Sequence, residues 1–392
     1  VATARAGISL RVLDRYEEAV TLCRTAYDEL GDDGDVHARG LLAEAVAQNL
    51  NFWGRSDEAL GWTEPALAAA ERSDDWVLLF ESLSTRSFAL FNVGRHQEAA
   101  LLARGAAALA EEHQALMQQS RAAMSLSLYA LPDDHNEVFR VALECADLAR
   151  RAGVKLMEET SLLNAVETGL VLGRWRDAEP ILDAVAASGV TDRSWSWIGY
   201  LGAMLQAVRG DVDAAVSTMR DLDEAQTPTE YIHSQTTMLS SRSYIDYFAG
   251  DFAAGLDAAN GAVAADPNGI NSSVAIAHAA RHAIWLRDAN AATAALDAAS
   301  RNRGRFLAAL RAEIEAALAA MTGSGDVEQR YADAVDAWRA LDSPYGVAIT
   351  ELEAAHLLGP SHPVAAVAKE AEDIFTELEI PVLVERARAV LA

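Results

Sequence analysis

Lysine is nearly absent from this 392-residue sequence: it occurs only at Lys155 and Lys369, and neither follows a glycine. A nucleotide-binding phosphate loop needs a lysine directly after a glycine, which excludes nucleotide hydrolysis by that route. Basic residues number 32 against 58 acidic ones, so the net charge is −26. Such a charge repels the phosphate backbone of nucleic acids and the anionic face of a membrane. We therefore expect no direct contact with nucleic acid or with a membrane.

Cysteine, proline and long apolar runs are also scarce. Cys23 and Cys145 lie in alanine-rich stretches, where buried free thiols are expected rather than a disulfide. No run approaches the roughly 18 to 20 apolar residues that cross a bilayer, and no secretory signal is visible at the N-terminus. These features predict a cytoplasmic protein. With nine prolines and 51% hydrophobic residues, many of them alanine, the composition favours packed helices over disorder or a β-sandwich.

A repeated turn is the main pattern in the sequence. A turn residue is followed by a short polar or aromatic segment and then by alanine, as in Gly54 to Ala59 and Gly173 to Ala178. The turn residues are Asp14, Gly54, Gly94, Asp133, Gly173, Gly210, Gly250 and Arg287, with steps of 40, 40, 39, 40, 37, 40 and 37 residues. Each turn predicts a helix that ends on a residue with positive φ and a second helix that folds back on it.

Small side chains follow each turn at a fixed distance. Five residues after the turn stand Ala19, Ala59, Ala99, Ala178, Ala215, Gly255 and Ala292, with Val138 as the exception. Small residues on one helix face let a neighbouring helix approach closely. The pattern predicts an all-α fold, a right-handed α-solenoid of about nine antiparallel helix pairs with a C-terminal capping helix.

The whole chain, residues 1–392, is predicted to form a single superhelical domain. Residues 1–300 carry the regular repeats. From 301 to 392 the register drifts, and the pattern predicts helices near 326–341, 344–358, 363–379 and 382–391. The last of these would cover the apolar end of the array.

The sequence resembles known proteins in two places. The Gly-x-aromatic-x-x-Ala turn and the Asp266-Pro267-Asn268 segment resemble the tetratricopeptide repeat (TPR), and the period near 39 is similar to the longer repeats of MalT-like bacterial regulators. The segment from Tyr331 to Gly346 and the ending around Ile374 to Ala387 resemble the tails of large actinobacterial regulators. Those proteins carry an ATPase module before such repeats, and some have a LuxR-type DNA-binding domain or a cyclase domain. This resemblance implies a signalling or transcriptional regulator of which the chain is the sensor or interaction portion.

Catalytic patterns are missing. No Gly-x-Ser-x-Gly or His-Glu-x-x-His string occurs. His278 and His282 have the spacing for a shared metal, but no carboxylate or thiol flanks them at ligand spacing, so a solvated or groove-lining position is expected. The Asp32 to Asp35 segment lacks the twelve-residue calcium loop and is interpreted as an acidic turn. We expect no enzyme activity, no cofactor and no metal.

The first helix of each pair lines the concave surface of such arrays, so its residues are the candidate binding site. Counting back ten, six and three residues from the turns gives Glu44, Gln48, Asn51, Ser84, Phe88, Phe91, Tyr200, Met204, Ser240, Tyr244 and Tyr247, and Trp197, Glu167 and Arg281 fall nearby. Aromatic and methionine side chains with a polar neighbour suit a peptide or a small ligand. The alternative interpretation places each aromatic in the core, because a one-residue register error rotates a side chain by about 100°.

The predicted function is a non-catalytic scaffold or sensor domain that binds a protein or peptide segment in its concave groove. The acidic surface favours a basic partner. The alternative is a small-molecule sensor, as the MalT-like resemblance implies, in which an inducer changes the superhelix and the change is relayed to an effector outside this chain. A buried aromatic pocket of a few hundred Å³ would favour the inducer, and a long open groove would favour the peptide.

Overall fold

The computed structural model describes residues 1–130, 132–189, 192–225, 231–269, 271–359, 362–363 and 368–392. Over these residues the chain folds into 21 α-helices without a β-strand. The first half contains α1 (Ala2–Val12), α2 (Tyr16–Leu30), α3 (Val36–Phe52), α4 (Ser56–Ser73), α5 (Trp76–Asn92), α6 (His96–Glu112), α7 (Leu116–Tyr129), α8 (His135–Ala152), α9 (Lys155–Val171) and α10 (Trp175–Ala187). The second half contains α11 (Asp192–Arg209), α12 (Val212–Ala225), α13 (Ile232–Ala249), α14 (Phe252–Ala265), α15 (Ser272–Trp285), α16 (Ala289–Ser300), α17 (Arg305–Thr322), α18 (Val327–Arg339), α19 (Pro344–Leu358), α20 (Ala368–Glu377) and α21 (Pro381–Leu391).

Consecutive helices pack against each other in antiparallel TPR-like pairs, which confirms the predicted α-solenoid. The described helices form ten pairs followed by α21. The tenth pair, α19 and α20, is joined by a longer segment without the repeated turn, so the turn pattern alone counts only about nine pairs.

The predicted turn residues determine where the helices end. Of the eight, all but Asp133 have positive φ, from 55° at Arg287 to 100° at Gly210. The second helix of each pair then begins within two residues of the turn, as α4 does at Ser56 and α10 at Trp175. Glycine is favoured at these positions because a left-handed backbone conformation strains residues that have a Cβ atom.

The small residues after the turns are buried where the two helices of a pair meet. Ala59, Ala178 and Ala292 have no exposed surface, and Val138 retains 1%. Gly255 leaves no room for a side chain toward the inner helix of the next pair, because an added Cβ would lie 2.1 Å from the His282 ring on α15. The spacing of small residues in the sequence is therefore explained by close helix packing.

The odd-numbered helices form the concave layer of the solenoid. Each odd helix packs on the next odd helix along the whole array, from α1 on α3 to α19 on α21, and each even helix packs mainly on its odd neighbours. Helices that touch their counterparts in the next repeat lie at the smaller radius of a curved array. We call the odd-numbered helices the inner helices.

Successive coils of the superhelix touch each other. The turns of the second to sixth pairs lie against the beginnings of inner helices five pairs later, 171 to 178 positions along the chain. These contacts join Gly54 to Ile232, Gly94 to Asn268, Asp133 to Arg305, Gly173 to Tyr345 and Gly210 to Pro381. The superhelix is thus tightly wound, and its C-terminal half packs on the turns between residues 54 and 210.

The rare residue types occupy ordinary positions. Cys23 and Cys145 are buried free thiols, and burial raises the pKa of Cys23 to about 11. The Cys145 sulfur lies 3.0 Å from the Ser161 hydroxyl. Within the part of the chain that the structure describes, none of the helices combines the length and apolarity that a membrane crossing requires.

Candidate functional site

Polar side chains cross the first four inner helices. Arg11 Nη1 donates to Gln48 Oε1 at 2.9 Å, and Gln48 Nε2 donates to Glu44 Oε1 at 2.9 Å. On the next two inner helices Arg121 forms an ion pair with Glu81, and these side chains are 30% and 17% exposed. We call Arg11, Glu44, Gln48, Glu81 and Arg121 the front inner face. It is partly open to solvent.

Glu44 is the most perturbed carboxyl of the front inner face. Its side chain is 5% exposed, and burial, helped by repulsion from Glu81, raises its pKa to about 7. Hydrogen bonds from Thr85 and Gln48 to Oε1 oppose this rise. Oε2 has no hydrogen-bond partner among the described residues. The carboxyl therefore retains capacity to accept a donor.

Aromatic residues from two coils border the front inner face. The Phe88 ring lies 5.8 Å from Phe52 and 5.6 Å from His233, and Tyr231 lies 5.7 Å from Phe52. Phe88 and Ser84, one helical turn earlier on α5, are both partly exposed. Phe88 is thus available to a ligand on one side and packed against the next coil on the other.

Glu167 and Trp197 meet on the middle inner helices α9 and α11. Both side chains keep some exposed surface. Burial of the carboxyl nevertheless raises the pKa of Glu167 to about 7, and the neighbouring Trp197 offsets part of that rise. This pair continues the acidic character of the front inner face toward the centre of the array.

The other predicted residues of the central and rear inner helices are buried. Tyr200, Met204, Ser240, Tyr244, Tyr247 and Arg281 expose between 2% and 8% of their surface. The four aromatic and methionine side chains belong to a core cluster that also contains residues of α19, α20 and α21. The tight winding of the superhelix brings these C-terminal helices onto the inner face.

Two further predicted residues hold inner helices together. Asn51 is 1% exposed and donates from Nδ2 to the Thr85 carbonyl at 3.0 Å. Phe91 is also 1% exposed, and its ring stacks on those of Tyr129 and His96 at 4.7 Å and 4.5 Å.

Four charged residues meet on the later inner helices, and we call Arg281, Glu313, Glu353 and Arg386 the rear charge cluster. Arg281, Glu313 and Glu353 are buried, and Arg386 is partly exposed. Glu313 Oε1 lies 3.8 Å from Arg281 Nε. Glu313 Oε2 accepts a hydrogen bond from Trp338 Nε1 at 2.7 Å. Burial and repulsion from Glu313 raise the pKa of Glu353 well above its ordinary value. The Glu353 carboxyl is therefore held toward its protonated form.

Arg386 of the last helix fills an aromatic cage. Its guanidinium carbon lies 5.0 to 5.3 Å from the ring centroids of Tyr247, Phe252 and Trp285. Nη2 donates to the Tyr247 carbonyl at 2.8 Å and to the Phe248 carbonyl at 3.1 Å. Cation–π contacts and charge-assisted hydrogen bonds thus fix α21 on α13 and α15.

His278 and His282 are not solvated; they expose 7% and 0% of their surface. Burial lowers the pKa of His278 to about 3 and that of His282 to about 4. His282 Nε2 lies 2.9 Å from the Ser243 carbonyl oxygen in the space left by Gly255. No group of three metal-binding side chains occurs within the described ranges.

Sequence reasoning missed several charged residues of the inner face. Glu81 lies one helical turn before the counted positions on α5, so a count extended to thirteen residues would have found it. Glu313, Glu353 and Arg386 follow the last repeated turn, where no turn residue sets the register. Their position on the inner face depends on contacts between coils, which the sequence pattern does not contain.

Comparison with known proteins shows likeness in structure alone. No protein-family model and no curated protein matches the sequence. The apo form of the quorum sensor NprR from B. thuringiensis is similar at 10% identity, over 97% of this chain and 98% of that one, with a TM-score of 0.43. Human IFIT1, solved as a dimer with PPP-AAAA, is similar at 14% identity over 98% and 89%, with a TM-score of 0.46. Cut9 in its complex with Hcn1 is similar at 12% identity over 98% and 85%, with a TM-score of 0.42. These values assign neither a family nor a function.

Proposed function

We propose that this chain is a non-catalytic scaffold that holds a protein or peptide segment against the front inner face. The observation that carries the proposal is the set of acidic side chains Glu44, Glu81 and Glu167 on the inner helices, of which Glu81 and Glu167 are partly exposed. Carboxylates on a concave, partly desolvated surface attract cationic side chains more strongly than isolated surface charges do. The partner is therefore a segment that carries arginine or lysine.

The contacts divide between exposed and buried members of the predicted site. Gln48, Phe88, Glu167 and Trp197 are partly exposed, and in this proposal they touch the partner directly. Gln48 and Glu167 bind polar or cationic groups, while Phe88 and Trp197 supply rigid aromatic surface. The buried predicted residues act indirectly, because they hold the inner helices at the curvature that the partner meets.

The charge of the whole chain supports the same partner. A net charge of −26 steers cationic segments toward the protein and speeds their association at low salt. Binding should therefore weaken as ionic strength rises. In the wider proposal the scaffold belongs to a cytoplasmic regulator, and the bound segment reports to an effector outside this chain.

The rival proposal is an inducer-binding sensor that relays to an ATPase, cyclase or LuxR-type effector. It needs a buried pocket of a few hundred Å³. The cavity beside Tyr244 and Arg281 offers about 20 Å³ to the centre of a water molecule. The small volume of this cavity and the partly exposed Glu81 and Glu167 therefore favour the peptide over the inducer.

A synthetic peptide array tests the proposal, with basic, neutral and acidic peptides of equal length probed by the labelled chain. We expect capture of basic peptides, and a roughly tenfold or greater rise in Kd, about 1.4 kcal/mol, for Glu81→Gln or Glu167→Gln. Glu98→Gln is the matched control, because Glu98 is 54% exposed and pairs with Arg95 on an even-numbered helix. Equal Kd values for all three variants and the wild type would contradict the proposal, as would capture that ignores peptide charge.

A further inference from the structure

A small, partly enclosed cavity lies between two coils of the superhelix. The beginning of α8 meets α15 there, together with the beginnings of α17 and α19. Its lining includes His135, His278, Arg281, Tyr244 and Tyr345. The volume that the centre of a water-sized sphere can occupy is about 20 Å³. The cavity therefore has room for one particle close to water in size.

Three of the lining side chains are more than nine-tenths buried and have spare hydrogen-bonding capacity. His135 is 3% exposed, His278 is 7% exposed and Arg281 is 8% exposed. Across the part of the chain that is described, neither ring nitrogen of His135, nor His278 Nδ1, nor Arg281 Nε has a hydrogen-bond partner. Buried polar groups in native proteins are normally satisfied. Four such atoms on residues around one space point to a ligand.

The neighbouring carboxylates neutralise the charge of Arg281 at this space only in part. Glu313 lies 3.8 Å from Arg281 Nε, but its other oxygen already accepts hydrogen bonds from Trp338 and Thr350. Asp134 also borders the cavity, where Oδ1 accepts from two backbone amides of α8 and Oδ2 pairs with Arg305 at 2.8 Å. Asp134 is therefore engaged away from the cavity, and Glu313 divides its charge between Arg281 and its two hydrogen-bond donors.

Helix ends add to this charge. Helices α8, α17 and α19 have 18, 18 and 15 residues and begin at the cavity wall, so their positive ends face it. The C-terminal ends of α9 and α18 also reach the wall. The carbonyls of Leu170 and Trp338 there accept backbone hydrogen bonds from Gly173 and Ser343, which reduces their effect on the cavity.

We propose that this cavity binds a small monovalent anion, a halide or a formate-sized carboxylate, held by Arg281, His135 and His278. A neutral imidazole can donate one N–H, and both histidines are deeply buried beside a guanidinium, which keeps them neutral. Phosphate and nucleotides are too large for the space. Because His135 belongs to one coil and Arg281 to the next, the anion links two coils of the superhelix.

Anomalous diffraction from bromide tests the site directly in the wild-type protein. Crystals soaked in bromide should show a peak within about 3.5 Å of the Arg281 guanidinium, the range of a charged contact. A water-like feature without anomalous signal at this position would overturn the proposal.

Thermal unfolding in solution provides the second measurement. At constant ionic strength, replacing gluconate with 200 mM chloride should raise the Tm of the wild type by about 2 °C or more relative to the variants, since a ligand bound only to the folded state stabilises it. His135→Leu and Arg281→Met should lose this chloride-dependent rise. Arg330→Gln should keep it, because Arg330 is 46% exposed and lies on α18 facing Glu315.

Formate distinguishes the two possible ligands. If formate raises the Tm more than chloride does, the natural ligand is a carboxylate, and the reverse order indicates a halide. An equal chloride effect in wild type and His135→Leu would refute the site. The bromide experiment keeps the proposal testable if Arg281→Met does not fold.

Discussion

The front inner face and the rear charge cluster both lie on inner helices, but their charged side chains differ in exposure to solvent. On the front inner face Glu81 and Arg121 are 17% and 30% exposed, so solvent screens their ion pair. In the rear charge cluster Glu313 and Arg281 are 1% and 9% exposed along their side chains. The difference follows from winding, because α19 to α21 cover the rear inner helices.

This difference in exposure indicates which charged residues can bind a partner and which ones hold the fold together. A partly exposed ion pair contributes little to stability and can exchange partners. A buried one is costly to desolvate and very costly to break. The front inner face is therefore suited to a partner, and the rear charge cluster is suited to fixing the relative position of coils.

The largest expected effect is on the buried pair. Arg281→Met should lower the free energy of unfolding by about 3 kcal/mol or more, because Glu313 would remain buried without its cation. Arg121→Met, the matched front variant, should cost about 1 kcal/mol or less, since its pair is screened by solvent. Urea denaturation measures both. Similar losses in the two variants would remove the distinction between the faces.

The second prediction concerns pH on the front inner face. The pKa of Glu44 is raised from 4.5 to about 7 in the folded protein, so the folded state binds its proton more tightly than the unfolded chain. The destabilising contribution of Glu44 is absent below pH 4.5 and grows as pH rises toward 7. It reaches up to about 3 kcal/mol at 1.36 kcal/mol per pKa unit.

Glu44→Gln should therefore be more stable than wild type at pH 8 and lose that advantage at pH 4.5, as measured by Tm across this range. The pH dependence of the His278 contribution to stability has the opposite sign. Its pKa is lowered to about 3, so its contribution to stability is lost as pH falls below 6.5. A difference between wild type and Glu44→Gln that does not vary with pH would contradict the assignment.

The third prediction compares two helical glycines. Gly255→Ala on α14 should lower the free energy of unfolding by about 2 kcal/mol, because its Cβ would lie 2.1 Å from the His282 ring. Gly105→Ala on α6 should raise it by about 0.5 to 1 kcal/mol, because nothing lies within 4 Å of its added Cβ. Circular dichroism during urea denaturation gives both values, and the same sign for the two would be inconsistent with close packing at Gly255.

The smallest expected effect compares two cation–π contacts. Arg386→Met should cost about 1 to 2 kcal/mol, because Arg386 faces three rings and donates two backbone hydrogen bonds. Arg11→Met should cost less, about 0.5 to 1 kcal/mol, because Arg11 faces a single ring, Phe52, at 4.5 Å and its hydrogen bond to Gln48 lies on the more open face. Calorimetric unfolding measures the loss of stability in both variants. A larger loss for Arg11→Met than for Arg386→Met would contradict the role of Arg386 in fixing α21.

Local features of this fold could be predicted from the sequence because they depend on neighbouring residues. A glycine such as Gly94 marks a turn wherever it occurs, and an alanine such as Ala99 marks a close helix contact at a fixed distance. The same count identifies the inner helices and Gln48, and Glu167 falls nearby. These predictions rest on separations of fewer than 20 residues.

Burial of the inner face could not be predicted in the same way. Tyr244 and Tyr247 have the spacing of groove residues, and only the position of α19 to α21 decides that they are covered. That position depends on how much each repeat rotates relative to the last. Small errors in this rotation accumulate over five pairs, so no local pattern identifies Tyr345 as the neighbour of Gly173.

The contacts between coils also bear on how such a chain can change in length. In an ordinary repeat array each unit touches only its neighbours, so units can be gained or lost one at a time. Here the turn at Gly54 also meets Ile232, and the turn at Gly210 meets Pro381. Deleting a single pair between them would shift every later contact by one unit and oppose surfaces that do not fit. The contacts between coils therefore constrain the number of helix pairs that this chain can gain or lose during evolution.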